Sequence, residues 1–373
     1  MMANLIEYVK WRGDLPFDMF PLCEIDAAIL SQVAYWNMDG IVPEDPKETM
    51  SMTALCQSAV LEELPPYCSE EDRTLKELLG TAERFKDLTL SGYVNEIDPE
   101  QETQFAAVTF SFGKKKQFVA FRGTDDSLAG WKECMDLAYY EEVKAQQKAV
   151  RYLEQIAAVT RGELYIGGHS KGGNLAVYAG AFCPDKINHR IMAIYNFDGP
   201  GFNPDFFERE EFLAVEERIQ SFYPAFSVVG MIFHHPRDFE IVRSDAFAFW
   251  QHDAMSWQIM GSNFVNELEF ADESKLFYNA FNEWIDRLDV EQKKKFVETM
   301  FCILEASGAK TNNEIEKDAL KATARMIAAY AEMDKDRKKE LKNILNMFKD
   351  VIADDIPIFK PLVLLKNNLR IMG

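Results

Sequence analysis

Ser170 stands in Gly168-His169-Ser170-Lys171-Gly172-Gly173, between the short apolar run Leu164 to Ile166 and the alanine-rich stretch Asn174 to Phe182. A Gly-x-Ser-x-Gly spacing between a strand and a helix is what a sharp turn needs if a serine hydroxyl is to stand at its apex. Residues beside such an apex must lack bulky side chains, because the two backbones nearly touch there. The first N–H groups of the helix then face any negative charge that develops beside the hydroxyl. The chemistry this suits is nucleophilic acyl transfer, which also demands a general base, a carboxylate to orient the base, and donors for an oxyanion. The plainer reading is a glycine-rich turn whose serine caps the following helix.

The search for a base is short, since the chain has five histidines. His169 adjoins Ser170, so its side chain points away from the hydroxyl and suits packing or hydrogen bonding. His189 precedes the strand that starts at Ile191 and belongs to the opposite end of a sheet. His234 and His235 are adjacent and lack companions that would make a metal site. His252 follows the last strand, Phe239 to Arg243, through a loop that emerges at the same edge as Ser170. His252 is the expected base.

For the acid, Asp198 ends the strand after the serine's helix, in Asn196-Phe197-Asp198-Gly199-Pro200-Gly201. The Gly-Pro-Gly turn fixes its carboxylate at the carboxyl edge, and the order Ser170, Asp198, His252 is one that serine hydrolases use. The loop after the next strand, Pro224 to Gly230, holds no carboxylate; Asp245 and Asp253 remain open as acids. The oxyanion donors expected are the N–H of Lys171 and the loop Phe121-Arg122-Gly123-Thr124-Asp125. There Gly123 allows close approach and Thr124 offers both an N–H and a hydroxyl. One such donor contributes roughly 3–4 kcal/mol to a transition state. After that loop Leu128, Trp131, Met135, Ala138 and Tyr139 recur at helical spacing. They form either a mobile lid over an acyl pocket or a fixed helix on the sheet.

These residues need a scaffold that brings three loops to one edge. The period-two runs Leu88 to Ile97, Phe105 to Phe112 and Gln117 to Phe121, with turns at Asp98-Pro99-Glu100 and Gly113-Lys114, predict an antiparallel meander. From Gly123 to Val159 the pattern is helical. The strand before Ser170 and those at Ile191 to Phe197, Arg218 to Tyr223 and Phe239 to Arg243 alternate with helices, which predicts a mostly parallel sheet covered on both faces. Ahead of the meander, residues 1–87 read as a helical segment packed on the core. Asp26 to Tyr35 is one helix, and Ser69-Glu70-Glu71-Asp72 starts another whose stripe runs from Leu75 to Phe85. The core spans 88–262, and 263–373 is helical again. There Leu276 to Leu288 form one apolar face, Thr311 to Glu314 a capping box, and Leu341 to Ile352 a further stripe, before a tail at Ile356 to Phe359 that would dock on a core.

A net charge of −20, from 41 basic and 61 acidic side chains, argues against nucleic acid and anionic lipid as partners. Six scattered cysteines without Cys-x-x-Cys pairs or zinc spacing fit a reducing compartment. With no signal-like N-terminus and no run of about 18 apolar residues, a cytoplasmic protein is expected.

Phe121-Arg122-Gly123-Thr124 followed by Trp131, together with Gly168-His169-Ser170-Lys171-Gly172-Gly173, resembles the oxyanion strand and elbow of class 3, fungal-type lipases. The resemblance covers about residues 88–260. The whole chain resembles an uncharacterised bacterial family of lipase-like α/β-hydrolases, through Trp11-Arg12-Gly13-Asp14-Leu15, Asn196 to Phe202, and Gln251-His252-Asp253 with Ser256-Trp257. It implies an α/β-hydrolase fold with helical additions at both ends. Ser170 is implied as nucleophile, His252 as base and Thr124 as oxyanion residue. Two departures stand out. Class 3 lipases carry their acid where this chain has Ser227, whereas Asp198 resembles the placement in pancreatic-type lipases. Lys171 replaces an aliphatic residue, and would either select a substrate carboxylate or phosphate or pair with a nearby acid.

The reading is a serine hydrolase that cleaves a small or lipid-like carboxylic ester through Ser170, Asp198 and His252, with oxyanion donors at Lys171 and Thr124. Substrate contacts are expected from Leu128, Trp131 and Met135, and no cofactor or metal is required. The alternatives are a thioesterase or peptidase with the same residues, or an inactive hydrolase fold serving as an interaction module.

Overall fold

Alternate residues of the strand Thr103–Phe112 enter two different cores. Val108, Phe110 and Phe112 join one apolar cluster, and Phe105 and Ala107 join the other. The next strand repeats this, with Phe118 and Ala120 on the first side and Val119 and Phe121 on the second. A strand buried on both faces belongs to a sheet covered on both sides. The structure, a computed structural model, describes residues 3–351 apart from 62–63, 66–67, 99, 101–102, 126, 237, 312–313 and 315–318.

Among the described residues the main sheet has eight strands in sequential order. They are β1 (Met50–Ser51), β2 (Thr89–Asp98), β3 (Thr103–Phe112), β4 (Lys116–Phe121), β5 (Glu163–His169), β6 (Ile191–Phe197), β7 (Ile219–Pro224) and β8 (Glu240–Val242). β1 to β4 pair antiparallel, and β4 to β8 pair parallel. This is the expected α/β-hydrolase type of sheet, mostly parallel with an antiparallel start. A separate antiparallel pair, β9 (Ile259–Met260) and β10 (Asn263–Phe264), was not expected.

One face is covered by α1 (Leu5–Arg12), α2 (Glu24–Val33), the short α3 (Met52–Cys56) and α4 (Glu70–Leu79), which share a core with Trp257 and Phe264. The other face carries α5 (Leu128–Asp136), α6 (Lys144–Val159), α7 (Lys171–Phe182) and the short α8 (Asp185–Asn188) and α9 (Glu210–Leu213). In α10 (Asp272–Asp286), Phe277, Phe281, Trp284 and Ile285 join this second cluster. α11 (Val290–Glu305), α12 (Ala319–Glu332) and α13 (Lys335–Val351) follow, with Ile344 reaching the same core. Among the described residues no helix is long and apolar enough to cross a membrane.

Several expected elements come out shorter. Ser69 does cap α4, through its hydroxyl on the Asp72 N–H at 3.3 Å. The helix then stops at Leu79 with Gly80 as its C-cap, and Phe85 reaches the core from a turn. The helical pattern from Gly123 to Val159 divides at Leu137–Val143, because the Gln146 side chain accepts the Val143 N–H at 3.0 Å and starts α6 anew. In the loop after β8, His252 is the last residue of a 3₁₀ turn, Ala248–His252, and a second 3₁₀ turn, Ala254–Ser256, follows. The Glu314 N–H donates to Thr311 Oγ1 at 3.2 Å, as a cap would. Pro99, Ile352 and the tail from Ile356 to Phe359 lie outside the described residues.

Candidate active site

Parallel register sets the strand ends level, with Phe121 opposite Gly168 and His169 opposite Phe197. The loops carrying Thr124, Ser170 and Asp198 therefore leave the sheet at one carboxyl edge, where open α/β sheets form their binding crevice.

At the elbow Ser170 has φ 57° and ψ −134°, a region that residues with a side chain rarely adopt. Its N–H donates to Phe197 O at 2.9 Å, and its hydroxyl makes no cap hydrogen bond to α7. A helix-capping serine would adopt extended backbone and bond the first turn; Ser170 does neither. A Cβ built on Gly168 or Gly172 would overlap Phe121 O, so the doubled glycines exist to let β5 and α7 press against β4.

Asp198 is fully buried at φ 50°. Its Oδ2 lies 2.6 Å from His252 Nδ1, and its Oδ1 accepts the Ser227 hydroxyl at 2.5 Å. A carboxylate only accepts, so Nδ1 of the neutral His252 ring carries the proton and Nε2 keeps a lone pair. The turn after Asp198 is fixed by Asn174, whose Nδ2 donates to Pro200 O at 3.1 Å and Gly201 O at 3.0 Å. Asn196 Oδ1 accepts the Gly199 N–H at 3.0 Å.

His252 is held from three sides. Trp257 Nε1 donates to Gln251 O at 2.8 Å, and Gln251 Oε1 accepts the Phe226 N–H at 2.9 Å. His169 Nε2 donates to the His252 carbonyl at 2.7 Å, with the two rings 4.5 Å apart. That donation leaves His169 Nδ1 to accept the Tyr35 hydroxyl at 3.0 Å. Burial first, and then the neighbouring His252, push the His169 imidazole down to about 3, so it stays neutral. His169 is thus a hydrogen-bonding residue, as its place beside Ser170 suggested.

The oxyanion loop lies against the elbow: a Cβ on Gly123 would overlap Tyr35 Oη and stand 2.6 Å from His169 O and 3.0 Å from Ser170 Cβ. Next to it Thr124 Oγ1 is buried. The Cys134 thiol lies close, but no group meets hydrogen-bond geometry at Oγ1 among the described residues. Arg122 pairs with Asp125 at 3.1 Å and so serves the loop's structure.

Of the two roles open to the Lys171 side chain, the structure shows pairing. It is fully buried, with Nζ donating to Glu133 Oε2 at 2.9 Å and to Gln104 O at 2.7 Å. Glu133 lies on α5, where Leu128 is buried, Met135 half-buried and Trp131 40% exposed. The start of α5 is tied down as well, the Leu128 N–H donating to Lys310 O at 2.9 Å.

The remaining candidates lie elsewhere. Asp253 accepts the Met255 N–H at 2.9 Å, and Asp245 accepts from the Gln258 side chain. His189 is exposed at the end of α8, His234 faces Asp286 at 3.8 Å, and His235 lies 5.0 Å from Tyr223 and 5.5 Å from Tyr278, centroid to centroid. Among the described residues no group of three or more His, Cys, Asp or Glu could hold a metal ion. The sequence reading missed Tyr35, Gln104, Glu133 and the hydroxyl of Ser227. Glu133 alone carried a signal, as an acid on the helix after the oxyanion loop that could answer Lys171.

Residues 79–302 match the sequence model of the Mbeg1-like family. The match fits the lipase-like hydrolase family expected from the paired motifs. Among solved structures, the crystal structure of M37 lipase is similar, with a TM-score of 0.37 and 14% sequence identity over 56% of this chain and 69% of that one. No curated protein sequence matches the chain.

Proposed function

This chain belongs to the Mbeg1-like family, and from that premise we propose that it is a serine hydrolase that cleaves carboxylic esters through Ser170, His252 and Asp198. The observation that carries the reading is the buried Asp198 carboxylate 2.6 Å from His252 Nδ1, at the sheet edge where Ser170 stands on a strained turn. Ser170 Oγ attacks the ester carbonyl carbon while His252 Nε2 takes the hydroxyl proton. Asp198 holds the imidazole in the required tautomer and stabilises its charged form. The carbonyl oxygen becomes an oxyanion between the Lys171 N–H and the N–H and hydroxyl of Thr124. Collapse expels the alcohol, which leaves with the proton from His252, and an acyl–Ser170 ester remains. Water then repeats the sequence: its proton goes to His252, its oxygen attacks the acyl carbon, and the acid departs as Ser170 regains its proton. The buried Thr124 hydroxyl, which has only the Cys134 thiol close by and no group in hydrogen-bond geometry among the described residues, supports this, since an oxyanion would satisfy it. Thioesters and amides follow the same acyl chemistry, so the leaving group is decided by a substrate panel.

The test is labelling of the folded protein with a fluorophosphonate, from which Ser170 Oγ displaces fluoride. Labelling of the parent, with loss in Ser170→Ala and His252→Ala, is the expected result. A parent that is folded and does not label, with and without detergent, points instead to an inactive interaction module. In turnover either substitution should cost about 10⁶ in kcat.

A further inference from the structure

We propose that the buried Lys171–Glu133 pair is the positioning device of the oxyanion site, fixing the Thr124 loop relative to the Lys171 N–H. The proposal rests on the serine-hydrolase reading and assigns the site two residues that touch no reacting atom.

Lys171 is the first residue of α7, and its own N–H is one proposed donor. Glu133 lies on α5, which begins just after the loop that bears the other donor, Thr124. The two side chains are 0% and 2% exposed. Glu133 collects three donors from three further segments. Its Oε2 accepts Lys171 Nζ at 2.9 Å and the Gln104 N–H at 3.0 Å, and its Oε1 accepts the Ala145 N–H at 2.9 Å. Lys171 Nζ also donates to Gln104 O at 2.7 Å, so the backbone of residue 104 is held on both sides.

Removing an ammonium and a carboxylate from water costs more than an isolated pair usually returns, and apolar replacements of such pairs are often neutral or stabilising. Stability is thus a weak account of this pair, whereas directed geometry is a strong one. The hub links the start of β3, α5, the start of α6 and the elbow, and so ties the residue that carries one oxyanion donor to the helix that follows the other. The seat is close-packed: a Cβ on Gly130 would lie 3.1 Å from both Gln104 Oε1 and Thr124 Cγ2. A helix that slips or tilts here moves Thr124 against the elbow, and misplacement by about 1 Å costs on the order of 10²-fold in rate.

The experiment compares the full-length parent, Glu133→Gln, and the apolar double variant Lys171→Met with Glu133→Leu. The readouts are thermal unfolding and fluorophosphonate labelling, resolved into the saturating rate and the half-saturating concentration. This needs no knowledge of the substrate. A reversible trifluoromethyl ketone, whose adduct with Ser170 carries an oxyanion, gives the affinity readout. The expected result is a folded double variant whose saturating labelling rate falls about 10²-fold while half-saturation stays near the parent's. Affinity for the ketone should fall by the same factor, and Glu133→Gln should lie between the two. A folded double variant with parental rate and ketone affinity overturns the positioning role. So does failure of both variants to fold, which makes the pair a folding determinant. A folded parent that does not label overturns the hydrolase reading and this proposal with it, and is told apart by the parent alone.

Discussion

Asp198 divides its carboxylate between two partners, with Oδ2 2.6 Å from His252 Nδ1 and Oδ1 2.5 Å from Ser227 Oγ. Ser227, which stands where the resemblance to class 3 lipases implies an acid, thus donates its hydroxyl to an acid arriving from the neighbouring strand. Under the proposed mechanism Asp198→Asn should retain the fold and lose on the order of 10⁴ in kcat, because an amide can present an N–H to His252 and reverse its tautomer. Ser227→Ala leaves Oδ1 buried without its donor and should destabilise by about 1–3 kcal/mol. Denaturant unfolding beside ester turnover separates the two effects. Parental activity in Asp198→Asn would remove Asp198 from the mechanism.

Thr124 gives a narrower test. Thr124→Val keeps the volume and the N–H but deletes a hydroxyl that is buried without a partner among the described residues. Loss of one oxyanion donor costs about 10²–10³ in kcat while leaving ground-state binding alone. Steady-state kinetics should show that fall with an unchanged KM, and Thr124→Ser should recover most of it. The same variant should lose little stability, since the hydroxyl removed has no neighbour but the Cys134 thiol close by.

The elbow was legible because its chemistry is local: strand, glycines, serine and helix lie within one short stretch, and steric need alone demands the small residues. Asp198 and His252 were legible by topology, since a parallel sheet sends every strand-to-helix loop to one edge. What escaped was long-range pairing. Nothing near Tyr35 announces that its hydroxyl will meet His169 across 134 positions. Glu133 and Lys171 are 38 apart, and Gln104 joins them through its backbone, which carries no residue signature. The break between α5 and α6 escaped for another reason: apolar spacing persists through Leu137, Ala138 and Val143 because they are buried in a turn instead of on a helix face.

His169 predicts how stability depends on pH. Its folded-state imidazole is pushed down to about 3, chiefly by burial, whereas the unfolded chain protonates near 6.5. The unfolded state therefore binds the extra proton between those values, so the contribution is fully present above pH 6.5 and is lost as pH falls through that window. The slope from this one group approaches about 1.4 kcal/mol per pH unit. His235, also lowered to about 3 by burial, acts in the same direction. Unfolding temperatures should drop from pH 7 to pH 4, and His169→Gln, which can still donate to the His252 carbonyl, should flatten the drop without abolishing it. An unchanged slope in that variant would mean His169 titrates normally.

Beneath the N-terminal helices Arg84 and Asp26 form an ion pair with both side chains 0% exposed. Arg84 Nε and Nη2 donate to the two Asp26 oxygens at 2.7 and 2.6 Å. The guanidinium also donates to Leu15 O, Phe20 O and Pro21 O, pinning the segment that follows Trp11-Arg12-Gly13-Asp14. Tyr8 adds its hydroxyl to Asp26 at 3.1 Å. Removing either charge strands the other in a dry interior, so Asp26→Asn and Arg84→Met should each cost about 3–5 kcal/mol. Arg84→Met combined with Asp26→Asn should cost less than the sum of the singles, the shortfall being the coupling of the pair. It should not return to parental stability, because three carbonyls lose their donors. Urea unfolding of the four proteins measures all of this, and additivity within about 0.5 kcal/mol would show that the two residues do not act as a pair.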